Sequence, residues 1–308
     1  MIGRLTPAMS DQSATHVTRP LDAAAAALVV LLAVSWGFNQ VSVKLAIHDI
    51  PPLTQGAIRS FIAMLLVAAW CRTRGIPMFA RDGTLWAGIA AGLLFGLEFV
   101  LIYQGLVYTT AARAVLFIYL APFAVVLGAR IFLPADRFRP QQWLGLALSF
   151  AGMMLAFGVP TPALDPRQML GDVMMVGAAV AWAATTLLIK ASALNRVPSE
   201  KVLLYQLVVS APMFGIAALI GGEHITYMPS ALAIGSLAYQ TIWIVAVTYV
   251  VWFALIVRYS ANRLSAFTFL TPLFGVAAGH FVLNEPLTPA FVAAAALTAL
   301  GLVLVNRR

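Results

Sequence analysis

The chain has 308 residues, of which 62% are apolar and only 10% are charged, with a formal net charge of +8. A typical soluble domain has about 45–50% apolar and about 25% charged residues. This chain therefore lacks the charged residues that cover a soluble surface, which argues against an ordinary soluble enzyme, a disordered chain and a nucleic-acid-binding protein.

Long apolar segments follow one another along almost the whole chain. A membrane-crossing helix needs about 20 mostly apolar residues. Cutting the chain at charged and Pro- or Gly-rich breaks predicts ten such helices, at 22–47, 53–71, 83–107, 110–131, 141–158, 171–191, 201–220, 232–257, 262–283 and 288–305. We expect residues 1–20, which are polar, to form a flexible tail. The proline-containing segment 159–170 is the predicted linker between two halves, 21–158 and 171–308.

Lysine and arginine residues are distributed unevenly between the two sides that these ten spans create. Cytoplasmic loops retain positive charge. With the N-terminus inside, 15 basic residues fall on the inner side, 3 on the outer side and one, Arg59, within a span. The inner set is Arg4, Arg19, Arg72, Arg74, Arg81, Arg130, Arg137, Arg139, Lys190, Arg196, Lys201, Arg258, Arg263, Arg307 and Arg308, and the outer set is Lys44, Arg113 and Arg167. An error of one helix would scramble this segregation, so we predict ten spans with both termini in the cytoplasm.

The two halves of the chain resemble each other. AVSWGFNQVSVK at 33–44 aligns with AVAWAATTLLIK at 179–190, and AARAVLFIYLAP at 111–122 aligns with ANRLSAFTFLTP at 261–272. Matching Trp, Arg, Lys and Pro residues indicate a duplication. Because each half has an odd number of spans, the second half enters the membrane inverted. Inverted repeats are typical of transporters, whose substrate site lies near the midplane between the repeats.

The motifs of these repeats resemble those of EamA-type transporters of the drug/metabolite transporter superfamily, over about residues 25–306. The matching residues are Trp36, Arg59, the stretch 106–112, Pro122, Asp136 and Gly152 in the first half, and Trp182, Pro272, Glu285 and Gly301 in the second. The family usually has Gly-Glu before the fifth helix of each repeat, where this chain has Ala135-Asp136 and Asn284-Glu285. The resemblance implies export through a central cavity built from the first, third, fourth, sixth, eighth and ninth helices. The aromatic residues along these helices are also similar to those of YddG-type amino acid exporters.

Two ionisable residues lie within predicted spans at similar depths, Arg59 in the second and Glu98 in the third. Ionisable groups inside a bilayer are costly, so each is a functional candidate. The two residues could form an ion pair that holds helices together, or could meet the two charged ends of a zwitterionic substrate. Glu98 could instead carry a coupling proton, and Arg59 could extend its charge toward the interface. At the span ends, we expect Lys44 and Lys190 to reach the interface in this way.

A tryptophan and two polar residues share one face of the first predicted helix, since Asn39 and Gln40 follow Trp36 by three and four residues. The matching face of the sixth helix carries Trp182, Thr185 and Thr186. Polar groups at this depth need partners, in another helix or in a solvated cavity. Both alternatives remain open, and we take all six residues as candidate substrate-binding residues.

Three further aromatic residues, Tyr103, Tyr119 and Trp252, lie deeper than an interfacial belt requires and are candidates for stacking on a substrate. Pro122 and Pro272 lie in the middle of the fourth and ninth helices. Each proline removes a backbone hydrogen bond, so we predict a bend that acts either in gating or as a static kink. The carbonyl groups of Ile118 and Thr268 would be released at these bends.

These features together predict a multi-pass carrier of the inner membrane that exports small metabolites by alternating access. We favour amino acids, particularly aromatic and hydrophobic ones, with a multidrug or cation exporter and a nucleotide-sugar-type transporter as alternatives. A lone cysteine, four scattered histidines and the absence of phosphate-loop and nucleophile motifs predict no enzyme, no cofactor and no metal site. The expected partners are a small-molecule substrate and the lipid bilayer, without nucleic acid, and the expected transport unit is a monomer.

Overall fold

The computed structural model describes residues 21–133, 138–158, 165–283 and 289–307, and their regular structure is helical. The helices are α1 (Ala23–Ala46), α2 (Pro52–Thr73), α3 (Leu85–Tyr108), α4 (Ala111–Ile118), α5 (Ala121–Phe132), α6 (Pro140–Phe157), α7 (Pro166–Ala191), α8 (Ser199–Ile220), α9 (Ala231–Ala238), α10 (Tyr249–Arg258), α11 (Ala261–Phe267), α12 (Leu270–Leu283) and α13 (Pro289–Asn306). A short 3-10 helix (Ala193–Arg196) precedes α8, and a π-helix (Tyr239–Thr248) joins α9 to α10. The predicted tail 1–20, much of the linker 159–170, Asp136 and Glu285 lie outside the described residues.

Nine helical segments within the described ranges are long and apolar enough to cross a membrane. The predicted fifth span, α6, is not among them, because Gln141 and Gln142 in its first turn lower its mean hydropathy. It is nevertheless an 18-residue helix that runs antiparallel to α13. Gln142 donates to the main-chain oxygen of Val305 at 2.8 Å, and Ser149 donates to that of Thr298 at 3.3 Å. These bonds satisfy polar groups that the membrane could not.

The predicted fourth and ninth spans are each divided into two helices just before their proline. α4 ends at Ile118 and α5 begins at Ala121, and likewise α11 ends at Phe267 and α12 begins at Leu270. The helices are therefore interrupted just before Pro122 and Pro272, where bends are predicted. The carbonyl group of Thr268 is not released, because it accepts a hydrogen bond of 2.9 Å from the amide of Thr271.

The turns that lead into α4 and α11 have the same local geometry. Thr109, before the first turn, has φ −116° and ψ 167°, and Tyr259, before the second, has φ −114° and ψ 171°. The hydroxyl oxygen of Thr110 then caps the amide of Arg113, as that of Ser260 caps the amide of Arg263. Two turns 150 residues apart thus share their backbone shape and cap.

Loops at the two ends of the bundle are fastened by acidic side chains. At one end, which we call the Asp49 end, Asp49 accepts a hydrogen bond of 2.7 Å from the amide of Ser230. Hydrogen bonding to the side chain of Ser230, and then to this amide, lowers the pKa of the Asp49 carboxyl. At the other, the Asp82 end, Asp82 accepts a hydrogen bond of 2.8 Å from the ammonium group of Lys201. Glu223 also caps the start of α2 at the Asp49 end. Since α3 begins beside Asp82, the turn into α4 lies at the Asp49 end.

Candidate functional site

A continuous chain of aromatic rings lies in the middle of the bundle, which we call the Trp36 cluster (Trp36, Phe95, Phe99, Tyr103, Tyr249 and Trp252). The Trp36 ring contacts those of Trp252 and Tyr249 edge-on, with centroids 5.3 and 6.1 Å apart. Tyr249 contacts Phe95 at 5.8 Å, and Phe95 contacts Phe99 at 5.0 Å. The predicted candidates Trp36, Tyr103 and Trp252 therefore belong to one surface, formed by α1, α3 and α10.

Trp36 is held in place by the end of the π-helix. Its indole Nε1 donates a hydrogen bond of 2.9 Å to the hydroxyl oxygen of Thr248, whose own proton goes to the carbonyl oxygen of Ile244. A π-helical segment adds a residue to each turn and is often found at functional sites. Here it places Thr248 and Tyr249 against α1. The sequence analysis missed Thr248, because a lone threonine in an apolar helix most often bonds only its own backbone.

Arg59 and Glu98 approach this cluster from α2 and α3, but they do not form the ion pair that their depths suggested. Among the described residues, no carboxylate lies within ion-pairing distance of Arg59. Its guanidinium carbon instead lies 4.9 Å from the ring centre of Phe99 and 5.8 Å from that of Tyr103. Similar depth did not ensure contact, because side-chain direction also matters.

A second group of rings, the Trp182 cluster (Tyr119, Phe123, Phe150, Trp182 and Phe269), lies on the other side of the bundle. Tyr119 contacts Trp182 at 5.9 Å and Phe269 at 6.1 Å. The neighbouring Thr185 and Thr186 are buried, and the hydroxyl of Thr185 bonds the carbonyl oxygen of Ala181 on its own helix. These two threonines pack between helices in this structure, whereas Trp182 and Tyr119 form the cluster.

The two amides predicted on the first helix have different surroundings. Asn39 is half-buried, and its Oδ1 atom meets no hydrogen-bond donor among the described residues. Gln40 is exposed and lies beside Gly275 of α12, where a Cβ atom would be 3.1 Å from its Oε1 atom. The close approach of α1 to α12 at Gly37 and Gly275 brings Gln40 to this contact. Neither amide contributes to the ring contacts of Trp36.

Lys190 is a correction to the sequence analysis, which expected this residue to reach the interface. Its side chain is only 7% exposed and lies at the Asp82 end. The ammonium group donates to the carbonyl oxygens of Ile256, at 2.9 Å, and Tyr259. Lys44, its counterpart in the repeat, is exposed. The last carbonyl groups of a helix lack hydrogen-bond donors within that helix, and the ammonium group of Lys190 is such a donor at the end of α10.

Pairs of helices that correspond to each other in the repeat pack differently at the two ends of the bundle. In the repeat, α1 corresponds to α7, α3 to α10, α4 to α11, and α5 to α12. At the Asp82 end, α5 packs against α11, and α7 packs against α10 and α11. In the described part of the chain, their counterparts at the Asp49 end (α12 with α4, and α1 with α3 and α4) have no comparable packing. These three pairs of helices therefore pack at the Asp82 end without an equivalent at the Asp49 end, where other contacts, such as that of Asp172 with Thr109, join the two halves.

The described side chains offer little for metal chemistry, because no three His, Cys, Asp or Glu residues among them come together in one place. Arg113 and Asp172, near the Asp49 end, pair with each other, and Asp172 also accepts from Thr109 at 2.6 Å. What the centre of the bundle does provide is aromatic surface next to one cation and one acid. Such a surface can bind a small organic solute, with the rings stacking on it.

Comparisons with known proteins agree with this arrangement. The chain is 26% identical over 287 residues to the uncharacterized transporter YvbV of Bacillus subtilis, with 92% of each chain covered. It is 25% identical over 289 residues to a probable amino-acid metabolite efflux pump of Salmonella typhimurium, with 90% of this chain and 93% of the relative covered. It is also 28% identical over 191 residues to the aromatic amino acid exporter YddG of Ancylobacter novellus, with 61% of this chain and 62% of the relative covered.

One solved crystal structure has the same fold, with a TM-score of 0.78, 20% identity, and coverage of 92% of this chain and 96% of that chain. A model of the EamA-like transporter family matches residues 23–158 and again residues 169–307. The double match agrees with the internal repeat, and the membrane-length helices agree with a multi-pass protein of the inner membrane. The chain therefore belongs to the EamA-like transporter family.

Proposed function

We propose that this protein exports small metabolites by alternating access, and that its substrates are amino acids, with aromatic and hydrophobic ones preferred. The observation that carries the mechanism is the difference between the two ends of the bundle. At the Asp82 end α5 packs against α11, and α7 packs against α10 and α11, whereas the corresponding pairs of the repeat at the Asp49 end lack comparable packing in the described part of the chain. Exchange of these contacts between the two inverted halves would close the Asp49 end and open the Asp82 end, as alternating access requires.

The proposed topology has ten spans, with α6 as the fifth, and both termini in the cytoplasm. Its support is the antiparallel packing of α6 on α13 and the concentration of basic residues in the loops of the Asp82 end. In this topology the two repeats are residues 21–158 and 171–308, joined by the linker 159–170 and preceded by the tail 1–20. The observed conformation then faces outward. One chain contains both repeats, so we propose the monomer as the transport unit.

The proposed substrate surface is the Trp36 cluster, with the Trp182 cluster across the bundle. Aromatic rings at both positions suit a substrate with an apolar or aromatic side chain. The predicted binding residues in this proposal are Trp36, Asn39, Gln40, Glu98, Tyr103, Tyr119, Trp182, Thr185, Thr186 and Trp252, with Pro122 and Pro272 at the moving bends. Relatives named as an amino-acid metabolite efflux pump and an aromatic amino acid exporter support the choice of amino acids.

A multidrug cation exporter is the second candidate, because Glu98 is a buried acid next to aromatic rings. The two functions differ in their dependence on this acid. Neutralising Glu98 would abolish transport of an organic cation, whereas transport of an amino acid would depend more on Trp36. The nucleotide-sugar-type alternative needs a site for phosphate charge.

Reconstitution into liposomes tests the proposal. Uptake of radiolabelled phenylalanine is measured with and without a pH gradient, in competition with other amino acids, an organic drug cation and a nucleotide sugar. We expect saturable uptake that aromatic and hydrophobic amino acids inhibit and that empty liposomes lack. Uptake or inhibition limited to the cation or the nucleotide sugar would overturn the amino acid proposal, and the effect of the gradient would show whether protons are coupled to transport.

A further inference from the structure

Arg59 is a buried cation whose charge has no direct protein partner in the described part of the chain. Its side chain is 2% exposed, its Nε atom meets no acceptor, and no described residue accepts a hydrogen bond from it. The other deeply buried cations are different, because Lys201 pairs with Asp82 and Lys190 donates to main-chain carbonyl groups. Burying an unpaired charge is costly, so the arrangement requires a reason.

Two aromatic rings lie beside the guanidinium group of Arg59. The rings of Phe99 and Tyr103 lie 4.9 and 5.8 Å from its central carbon. Gly56, one turn earlier on α2, leaves room for the rings of Tyr103 and Phe214, since a Cβ atom there would lie 3.2 Å from Tyr103 and 3.4 Å from Phe214. Cation–π contacts compensate part of the lost hydration without supplying a hydrogen-bond acceptor for the N–H groups. Those N–H groups match the geometry of a carboxylate.

Glu98 supplies the opposite charge on the neighbouring helix. It precedes Phe99 on α3, is 8% exposed, and has no hydrogen-bond donor among the described residues. The guanidinium group of Arg59 lies against the ring of Phe99, the residue next to Glu98, and no ion pair joins Arg59 to Glu98. A cation and an acid are thus held apart at one edge of the Trp36 cluster.

We propose that Arg59 binds the carboxylate of the substrate and Glu98 its ammonium group, while the rings of the Trp36 cluster receive the side chain. This inference rests on the proposed function, and it narrows the substrate to α-amino acids with both charged groups free. The solute takes the place of the missing ion pair by bridging the two charges. Each charged group of the protein then gains a partner only when substrate is bound.

This assignment distinguishes amino acids from the two rival substrate classes. An organic cation would pair with Glu98 but would be repelled by Arg59. A nucleotide sugar brings two phosphate groups, and Arg59 is the one deeply buried cation among the described residues without a protein acceptor. A zwitterion, in contrast, has one charged group for Arg59 and one of opposite sign for Glu98.

The test uses phenylalanine and two analogues that each lack one charged group: phenethylamine without the carboxylate and 3-phenylpropanoate without the ammonium group. Inhibition of phenylalanine uptake is measured in liposomes containing the full chain. We expect each analogue to inhibit less well than unlabelled phenylalanine, by on the order of 10- to 100-fold, because each leaves one buried charge unpaired. This comparison needs no substitution and so does not depend on the folding of a variant.

Three substitutions then test which charged residue binds which charged group of the substrate. Arg59→Gln should raise the KM for phenylalanine and should let phenethylamine inhibit uptake as well as unlabelled phenylalanine does. Glu98→Gln should have the same effect on inhibition by 3-phenylpropanoate. Arg59→Lys should restore part of the discrimination, since the charge is kept but the planar fork is lost. The matched control is Arg113→Gln, which neutralises an arginine paired with Asp172 away from the cluster and should leave the ranking of the analogues unchanged.

The outcomes separate the two proposals. If the wild-type protein transports phenylalanine but both analogues inhibit as well as phenylalanine does, the charge assignment fails and the proposed function stands. The same conclusion follows if Arg59→Gln and Glu98→Gln lower uptake without changing the ranking, which is the result of a purely structural role. If the wild-type protein takes up no amino acid, both proposals fail. Folding of each variant is checked by monodispersity and melting temperature in detergent.

Discussion

The ammonium group of Lys190, at the end of α7, donates a hydrogen bond of 2.9 Å to the main-chain oxygen of Ile256 near the end of α10. It also bonds the carbonyl oxygen of Tyr259, whose hydroxyl group in turn bonds Asp22 at the start of α1 at 2.8 Å. This series of contacts joins three helices at the Asp82 end. It therefore stabilises the packing of α7 against α10 at that end.

Replacing Lys190 with Met should shift the protein toward opening of the Asp82 end, by roughly tenfold in the equilibrium, because buried carbonyl groups would lose a charged donor. The readout is the labelling rate of a cysteine introduced at Ala183, which is 3% exposed and packs against Val125 and Ala261. The native Cys71 is fully buried and gives the background rate. Lys44→Met, at the exposed counterpart, is the control. Equal labelling of Ala183→Cys in both backgrounds would show that Lys190 does not hold this end closed.

Replacing Thr248 with Val should weaken substrate binding by leaving the indole N–H of Trp36 without its acceptor. An unsatisfied buried donor costs about 1–3 kcal/mol, and a displaced Trp36 would pack less well on Trp252. We expect a KM for phenylalanine that rises roughly tenfold, measured by initial uptake rates. The matched control is Thr241→Val in the same π-helix, whose hydroxyl bonds only Leu237 four residues earlier. Equal changes in the two variants would contradict a role through Trp36.

The positions of most membrane-length helices could be predicted, because span length and apolar content are encoded locally. Three residues of the Trp36 cluster could also be named: Trp36 from the face that the repeat shares, and Tyr103 and Trp252 from their depth. The bonding of Lys190 could not, because its partners are main-chain oxygens on a helix about 66 residues away and leave no side-chain pattern. Depth along a helix likewise placed Arg59 near Glu98 but did not specify the direction of either side chain.

The π-helix is a further feature that the sequence pattern did not predict. Its residues, Tyr239–Thr248, have the same apolar composition as the helices around them. The π-helix makes side-chain contacts with other helices. The indole of Trp243, for example, donates a hydrogen bond of 3.0 Å to the hydroxyl oxygen of Ser35 on α1. The position of Thr248 beside Trp36 follows from the extra residue in each π-helical turn, so it became visible only in the folded structure.

Replacing Gly301 with Ala should destabilise the contact of α6 with α13 without altering substrate preference. A Cβ atom at Gly301 would lie 2.4 Å from the main-chain oxygen of Gly145 and 2.4 Å from the hydroxyl of Ser149. Because a backbone atom cannot yield easily, we expect a loss of at least about 1–3 kcal/mol, seen as a lower melting temperature in detergent. Gly215→Ala is the control, since no atom lies within 4 Å of its Cβ position. A melting temperature equal to that of the wild type would mean that the two helices are not packed this closely.

Replacing Asp82 with Asn should lower the melting temperature at neutral pH, and the loss should disappear in strong acid. The hydrogen bond from Lys201, aided by that from Thr84, lowers the pKa of Asp82 from 3.8 to about 2. Because the folded pKa is the lower one, the ionised carboxylate stabilises the fold at every pH above 3.8, and this stabilisation is lost as the pH falls toward 2. The melting temperatures of wild type and variant should therefore differ by a constant amount from neutral pH down to 3.8 and converge below it. Glu200→Gln is the control at the same end, since the Glu200 carboxylate accepts a hydrogen bond only from the adjacent Ser199, at 3.4 Å. A difference that persists unchanged toward pH 2 would show that the charge of Asp82 does not fasten this loop.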